Sequence, residues 1–126
     1  MIGYLVEGLE VIVPIRILDV NDEPAEVDFV MDTGSTAQLT LPPEAIHALG
    51  LKPLKRVPAT LADDSVIECN VYSAHVMWQN KLRKVEITEL DQDALLGMRL
   101  MSNCRVTFDV TDGGRVEMVE LSSLED

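Results

Sequence analysis

The sequence predicts an all-β protein: a small closed or sandwiched β fold of about eight strands, with one or two short helices. Short apolar runs rich in β-branched residues recur along the chain, and turns containing Gly, Asp or Asn separate them. The chain has 126 residues, of which 47% are hydrophobic and 25% charged, which is enough to fill one core. We therefore expect a single domain spanning residues 1–126.

The first half of the chain predicts a hairpin followed by a helix. Residues 8–18 and 25–31 are β-branched runs, and the turn-forming residues 19–24 separate them. Residues 37–41 are predicted to be extended. Residues 42–50 have the ends of a short helix, because two prolines begin the segment and a glycine stops it.

The second half predicts further hairpins. Residues 59–90 contain apolar runs divided at residues 63–65 and 79–81, which indicates two successive hairpin turns. An apolar segment with a glycine follows at residues 94–101. Residues 104–121 then form a final hairpin around a Thr-Asp-Gly-Gly turn.

The acidic composition limits the classes of partner. Ten Lys and Arg residues against 22 Asp and Glu give a formal net charge of −12, which repels phosphate groups, so we expect neither nucleic acid nor a membrane as partner. No apolar run approaches the roughly 20 residues that span a bilayer. We expect Cys69 and Cys104 to be reduced and no signal peptide to precede them, and these features predict a cytoplasmic protein.

A carboxylate directly follows an apolar run in Phe-Val-Met-Asp-Thr-Gly-Ser-Thr, residues 29–36. Gly34 permits a tight turn in which its amide can approach Asp32, while the hydroxyls of Thr33 and Ser35 can donate hydrogen bonds. The same residue types are common in solvated turns. By itself the stretch therefore indicates either a turn or a catalytic carboxylate on a rigid strand.

Two short segments together resemble a known family. Asp-Thr-Gly-Ser after an apolar strand resembles the active-site loop of the aspartic proteases. The segment Leu95-Leu96-Gly97, about sixty residues later, resembles the family's second landmark, which packs against that loop. Their order and spacing resemble the single-domain, retropepsin-like branch of the family, and the similarity covers nearly the whole chain. The resemblance implies the retropepsin-like closed β fold.

The resemblance also implies a mechanism. Retropepsin-like enzymes use two carboxylates that share a proton across one water, and this chain carries one such loop, so the resemblance implies a homodimer acting on a peptide or protein substrate. Asp32 would be the general acid and base. Thr33 would hydrogen-bond across the dimer, and Ser35 would reach the outer oxygen of the carboxylate. No metal or other cofactor is implied, and no spacing of Cys, His or Asp predicts a metal site.

The flap is the family's hairpin that closes over bound peptide, and the turn after residue 60 occupies its place. The tip is acidic here, whereas viral members of the family have glycine-rich tips. Two negative charges per flap favour basic over acidic substrates, although a solvated turn is an equal interpretation. The residues predicted to form the flap and contact substrate are Leu61, Ala62, Asp63, Asp64, Ser65 and Val66.

A second departure lies two places after the landmark glycine, where family members often carry an acidic or amide residue and this chain has Arg99. A nearby aspartate could serve as its partner without changing the fold. The sequence leaves two functions open. One is an aspartic endopeptidase, and the other is a catalytically weak or inactive retropepsin-like module that binds extended peptides or dimerises. The acidic flap tip favours the second.

Overall fold

Ten β-strands and one short α-helix make up the part of the chain that the computed structural model describes, residues 1–124. A 3₁₀ helix at Leu121–Leu124 follows the last strand. The elements in chain order are β1 (Ile2–Val6), β2 (Glu10–Leu18), β3 (Pro24–Met31), β4 (Leu39–Leu41), α1 (Pro43–Leu49), β5 (Lys52–Thr60), β6 (Val66–Trp78), β7 (Lys81–Glu89), β8 (Leu95–Leu96), β9 (Cys104–Phe108) and β10 (Arg115–Glu120).

The ten strands form one hydrogen-bonded sheet that closes on itself. Their order is β5-β6-β7-β4-β8-β3-β2-β1-β10-β9, and a further pairing of Ile17 with Val76 joins β2 to β6. Two pairs are parallel, β3 with β8 and β4 with β7, and the other pairs are antiparallel. The predicted all-β closed fold with a short helix is confirmed.

Alternating apolar residues place one face of the sheet in the core. In β2 the side chains of Val13, Ile15 and Ile17 are fully buried, as the period of two along a strand requires. Phe29 on β3 is buried beside them. The other large side chains with almost no solvent exposure come from β4, β7, β8, β10 and the turn after β8: Leu39, Leu41, Ile87, Leu96, Leu100 and Met118.

The predicted helix is present and has the expected ends. Pro42 is its N-cap, and Pro43 occupies the first turn, where a missing N–H has no cost. Gly50 ends the helix with a left-handed φ of 64° and donates its N–H to the carbonyl of His47. Ile46 and Leu49 face the core, so this helix covers one end of the sheet.

The structure differs from the sequence-based prediction at two short strands and at β5, most of which precedes the apolar runs predicted from residue 59 onward. The predicted strand 8–18 begins only at Glu10, because Gly8 lies in a turn with a φ of 67° that joins it to the unpredicted β1. The unpredicted β8 has two residues. The predicted hairpin turns at 63–65, 79–81 and 111–114 are all present. Residues 125 and 126 of the predicted domain lie outside the described residues.

Two further features bear on the predicted environment. Cys69 and Cys104 are free thiols, the first buried and the second half-buried, and desolvation by burial raises the pKa of each. Within residues 1–124, no helix is long and apolar enough to cross a membrane.

Candidate active site

Strand β3 carries Asp32 out of the core. Phe29 is fully buried, and the strand ends at Met31, so the carboxylate is the first group beyond the buried segment. Met31 pairs with Leu96 of β8, and the N–H of Asp32 donates to the carbonyl of Leu96 at 2.9 Å. The backbone of the half-buried Asp32 is therefore fixed by a strand from a distant part of the sequence.

A tight turn orients one oxygen of the carboxylate. The N–H of Gly34 donates to Oδ1 of Asp32 at 2.9 Å, and the N–H of Ser35 donates to the backbone carbonyl of Asp32 at 3.1 Å. A Cβ at position 34 would lie 3.2 Å from Oδ1, so glycine allows this close approach. The second oxygen, Oδ2, accepts no hydrogen bond from residues 1–124 and is open to a water or a substrate.

The two hydroxyls of the loop have different surroundings. The side chain of Ser35 accepts the N–H of Ala37 at 3.3 Å and forms no hydrogen bond to the Asp32 carboxylate within this chain. This differs from the contact implied by the resemblance, because the hydroxyl closes a local turn with a residue two places later. Thr33, the residue after Asp32, is exposed, and its hydroxyl forms no hydrogen bond with residues 1–124.

The Leu-Leu-Gly segment packs directly against the loop. The N–H of Gly97 donates to the carbonyl of Gln38 at 3.0 Å, and the N–H of Met98 donates to the carbonyl of Ser35 at 2.9 Å. A Cβ on the buried Gly97 would lie 2.0 Å from the carbonyl oxygen of Ala37 and 2.9 Å from Oγ of Ser35. No side chain fits there, so glycine is required by the close approach of two backbone segments.

A cleft of about 660 Å³ lies between this loop and the β5–β6 hairpin. The loop contributes Asp32, Gly34 and Ser35 to its lining. Of the six predicted flap residues, Leu61 and Ala62 line the cleft. The other four are exposed and lie outside its lining: Asp63, Asp64, Ser65 and Val66.

The acidic tip of the hairpin forms its hydrogen bonds within its own turn. Oδ1 of Asp63 accepts both the N–H and the hydroxyl of Ser65, and the N–H of Leu61 donates to the carbonyl of Ser65 at 2.8 Å. The hydrogen bonds from the Ser65 hydroxyl and amide lower the pKa of Asp63. Asp64 has a left-handed φ of 67°, which short polar residues tolerate in turns.

Sequence reasoning missed the cleft wall formed by β5. Val57, Pro58, Ala59 and Thr60 all line the cleft. Only the structure shows that the half-buried Val57 and Ala59 alternate with exposed residues, because Pro53 and Pro58 argue against a central strand in the sequence of this segment. The hairpin therefore covers the cleft mainly with the end of a strand and the first two residues of the turn.

Four charged residues line the cleft. Nζ of Lys55 lies 3.0 Å from a carboxylate oxygen of Glu86, so these two form an ion pair with both side chains about half-exposed. Asp32 and Arg99 are the other two. The aspartate partner considered for Arg99 is not found, because Arg99 forms no salt bridge with the described residues. Within residues 1–124, no group of three or more His, Cys, Asp or Glu side chains could hold a metal ion.

Comparisons with known proteins identify the family. The sequence model of the aspartyl protease family matches residues 13–100, which is more than half of the chain and includes both Asp32 and Gly97. The chain belongs to the aspartyl protease family. No curated protein matches this family member at a significant level.

Solved structures of retropepsin-like enzymes have the same fold as this aspartyl protease family member. A retropepsin-like aspartic protease from Rickettsia conorii matches with a TM-score of 0.58 and 16% identity over 94% of this chain and 88% of that chain. The EIAV protease, solved in complex with the inhibitor HBY-793, matches with a TM-score of 0.52 and 16% identity over 71% of this chain and 83% of that chain. The resemblance to retropepsin-like proteases is therefore confirmed.

Proposed function

We propose that this protein is an aspartic endopeptidase that acts as a homodimer on extended peptides. The observation that carries the proposal is the placement of Asp32: it lies in a large cleft, Gly34 holds one carboxylate oxygen, and the other oxygen is open. A fixed carboxylate with one open oxygen suits a general acid and base, because proton transfer requires a group already within hydrogen-bond reach of the reacting atom.

A second copy of the chain completes the proposed chemistry. The two Asp32 side chains meet across a twofold axis and hold one water between them, and they share a single proton because two adjacent carboxylates do not both ionise. One carboxylate removes a proton from the water as the water oxygen attacks the scissile carbonyl carbon. The other donates its proton to the carbonyl oxygen. When the tetrahedral intermediate collapses and its C–N bond breaks, the first carboxyl gives the proton it took from the water to the amine nitrogen. The second carboxylate takes back a proton from a hydroxyl of the intermediate, so the pair again shares one proton.

The remaining parts of the site have supporting roles in this proposal. Thr33 is exposed next to Asp32, so its hydroxyl is available to hydrogen-bond with the second loop across the axis. The β5–β6 hairpin serves as the flap, and Leu61 and Ala62 supply apolar cover on the cleft side. Closure of such a hairpin excludes water from the bound peptide.

Charge repulsion opposes the proposed dimer. Each chain carries a formal net charge of −12, so association must depend on backbone and apolar contacts that overcome this repulsion. Salt screens exposed charges over about 10 Å at 0.1 M, and we therefore expect the dimer fraction to rise with ionic strength. Sedimentation velocity at low and high salt measures it. A fully active monomer under assay conditions would contradict the two-chain site.

Replacement of Asp32 by Asn tests the activity. Asn keeps an oxygen that can accept the Gly34 N–H, so we expect the variant to fold normally while peptide cleavage falls by about 10²–10⁴-fold or more. Asp28→Asn is the matched control, because Asp28 is an exposed carboxylate on the same strand and outside the cleft lining. Unchanged cleavage by the Asp32→Asn protein would refute the proposal. Peptide binding by the wild-type protein without fragments from pH 4 to 8 would support the binding module instead.

A further inference from the structure

A shallow depression of about 450 Å³ adjoins the cleft. It shares Thr36, Gln38 and Arg99 with the cleft lining, so the two spaces are adjacent. Arg83, Met98 and Ser102 complete its walls. This adjacency brings the depression close to a peptide that lies in the cleft.

The depression is basic, although the protein is strongly acidic. Its lining contains two arginines and no carboxylate, whereas the whole chain has 22 acidic residues against 10 basic ones. Neither Arg83 nor Arg99 forms a salt bridge with any residue from 1 to 124. Lys55 in the adjoining cleft shows the contrast, because its charge is already paired with Glu86.

Two different elements hold the arginines in place. Arg83 lies on β7, where it is paired with Val76 of β6. Arg99 follows Gly97 and Met98, whose N–H groups are hydrogen-bonded to the catalytic loop region. The backbone of Arg83 is thus part of the sheet, and the backbone of Arg99 directly follows the segment that supports the Asp32 loop.

Neutral donors complete the depression. Oε1 of Gln38 accepts the N–H of Glu86 at 2.7 Å, which leaves the amide NH₂ of Gln38 available to donate. Thr36 and Ser102 contribute hydroxyl groups. A guanidinium presents parallel N–H donors that match the two oxygens of a carboxylate, and neighbouring hydroxyls can satisfy the remaining lone pairs.

We propose that this depression, here called the arginine subsite and formed by Arg83, Arg99, Thr36, Gln38 and Ser102, binds an acidic side chain of the peptide substrate. The inference rests on the proposed endopeptidase function and names its substrate class: peptides with Asp or Glu at one fixed position to one side of the scissile bond. It reverses the expectation drawn from the acidic flap tip, because those two carboxylates lie outside the cleft lining.

Matched peptides test the subsite. A set of unstructured peptides carries Glu or Gln at each successive position around one cleavable bond, and kcat/KM is measured for each pair. We expect the wild-type protein to cleave the Glu peptide about tenfold better than the Gln peptide at one position. Arg99→Gln and Arg83→Gln should each lower this Glu/Gln ratio about threefold to fivefold, since each removes one partly exposed charge.

Two further variants separate a specific contact from a general loss of charge. Arg105→Gln removes the same charge from an exposed position on β9, outside both linings, and should leave the Glu/Gln ratio at its wild-type value. Arg99→Glu should invert the selectivity, so that Lys replaces Glu as the preferred residue at that position. Added salt should weaken both preferences, because the charges are partly exposed.

The proposal is overturned if wild-type Glu/Gln ratios are near one at every position, or if Arg105→Gln changes them as much as Arg99→Gln. It is also overturned if the arginine variants lower cleavage of both peptides equally and sedimentation shows lost dimer, because the arginines would then contact a second copy. Binding of the same peptide pairs to the Asp32→Asn protein gives a readout without turnover. If wild-type cleaves nothing, the endopeptidase proposal fails, while a Glu preference in binding still supports the subsite and equal binding overturns it.

Discussion

The active-site loop and the flap tip are both short polar turns next to the cleft, but they are held in different ways. In the loop at residues 32–37, the N–H of Asp32 donates to the carbonyl of Leu96 in β8, and the carbonyl of Ser35 accepts the N–H of Met98. The flap tip at residues 61–65 is exposed, and its hydrogen bonds are internal.

This difference suits the different tasks proposed for the two turns. A group that transfers protons must keep its position to a fraction of an ångström, which requires contacts from several parts of the fold. A hairpin that admits and releases peptide must open at low cost, and turns with few buried contacts open most easily. We therefore expect changes that disturb the packing of the loop to affect stability and activity together, and changes at the flap to affect substrate affinity with little loss of stability.

Among the changes that test this difference between the two turns, Gly97→Ala should have the largest effect. The new methyl group would lie 2.0 Å from the carbonyl oxygen of Ala37, so the loop must move away from β8. We expect the free energy of unfolding to fall by about 3 kcal/mol, as for overpacked cores, and kcat/KM to fall about 100-fold as Asp32 is displaced. Thermal or urea unfolding and a peptide cleavage assay measure the two quantities.

Gly113→Ala is the control for that substitution. Gly113 has a left-handed φ of 72°, but a Cβ there would meet nothing within 4 Å. Its cost should be limited to backbone strain of about 1 kcal/mol, and cleavage should be unaffected because the residue lies in the β9–β10 turn. Equal stability of the Gly97→Ala protein and the wild type would mean that the loop is not fixed by this contact.

An intermediate effect is expected from Leu61→Ala. Leu61 lines the cleft with a relative exposure of 37%, so its side chain is free to pack on a bound peptide. Losing that packing should raise KM about tenfold, the equivalent of about 1.4 kcal/mol of apolar contact, with an unfolding midpoint near that of the wild type. Val66→Ala is the control, because Val66 is 64% exposed and lies outside the cleft lining. A large loss of stability in Leu61→Ala with unchanged KM would argue against a flap.

The smallest effect is the pH response of the flap tip. Hydrogen bonds from Ser65 lower the pKa of Asp63 below its ordinary value of 3.8, so the closed turn favours the ionised carboxylate. This contribution to turn stability is complete above the ordinary pKa and is lost as the pH falls through the lowered value. The Ser65 amide should then lose protection in hydrogen exchange, measured against its intrinsic rate at each pH, while the Met98 amide, bonded to a backbone carbonyl, should keep its protection.

Asp63→Asn should abolish this pH response, since an amide oxygen can still accept a hydrogen bond but does not titrate in this range. Asp64→Asn is the matched control and should retain the response, because the Asp64 side chain accepts no hydrogen bond from the described residues. A response that persists in Asp63→Asn would show that another group controls the turn.

The structural features that could be predicted from the sequence are those that short local motifs determine. The Gly34 amide approaches Asp32 as expected, because the Asp-x-Gly turn is a local structure. The helix after Pro42 and the hairpin turns were predictable for the same reason. The all-β class followed from the repeated β-branched runs.

What the sequence did not predict depends on distant contacts. Strand β8 is two residues long, and it is recognisable as a strand only because β3 and β4 lie on either side of it. The cleft wall formed by β5 depends on the pairing of this strand with β6, and it meets the Asp32 loop only in the folded sheet. The Ser35 hydroxyl could have bonded to either of two nearby groups, and local patterns do not distinguish them.

The position of β8 in the chain has a consequence for how the protein folds during its synthesis. Asp32 is translated about sixty residues before Leu95–Gly97, the segment that supports its loop. Contacts with such a large sequence separation form late in folding, because loop closure must precede them. The nascent chain therefore carries the Asp32 loop without this support until residues 95–97 have been made, and chains with unsupported loops cannot yet form the proposed two-chain site.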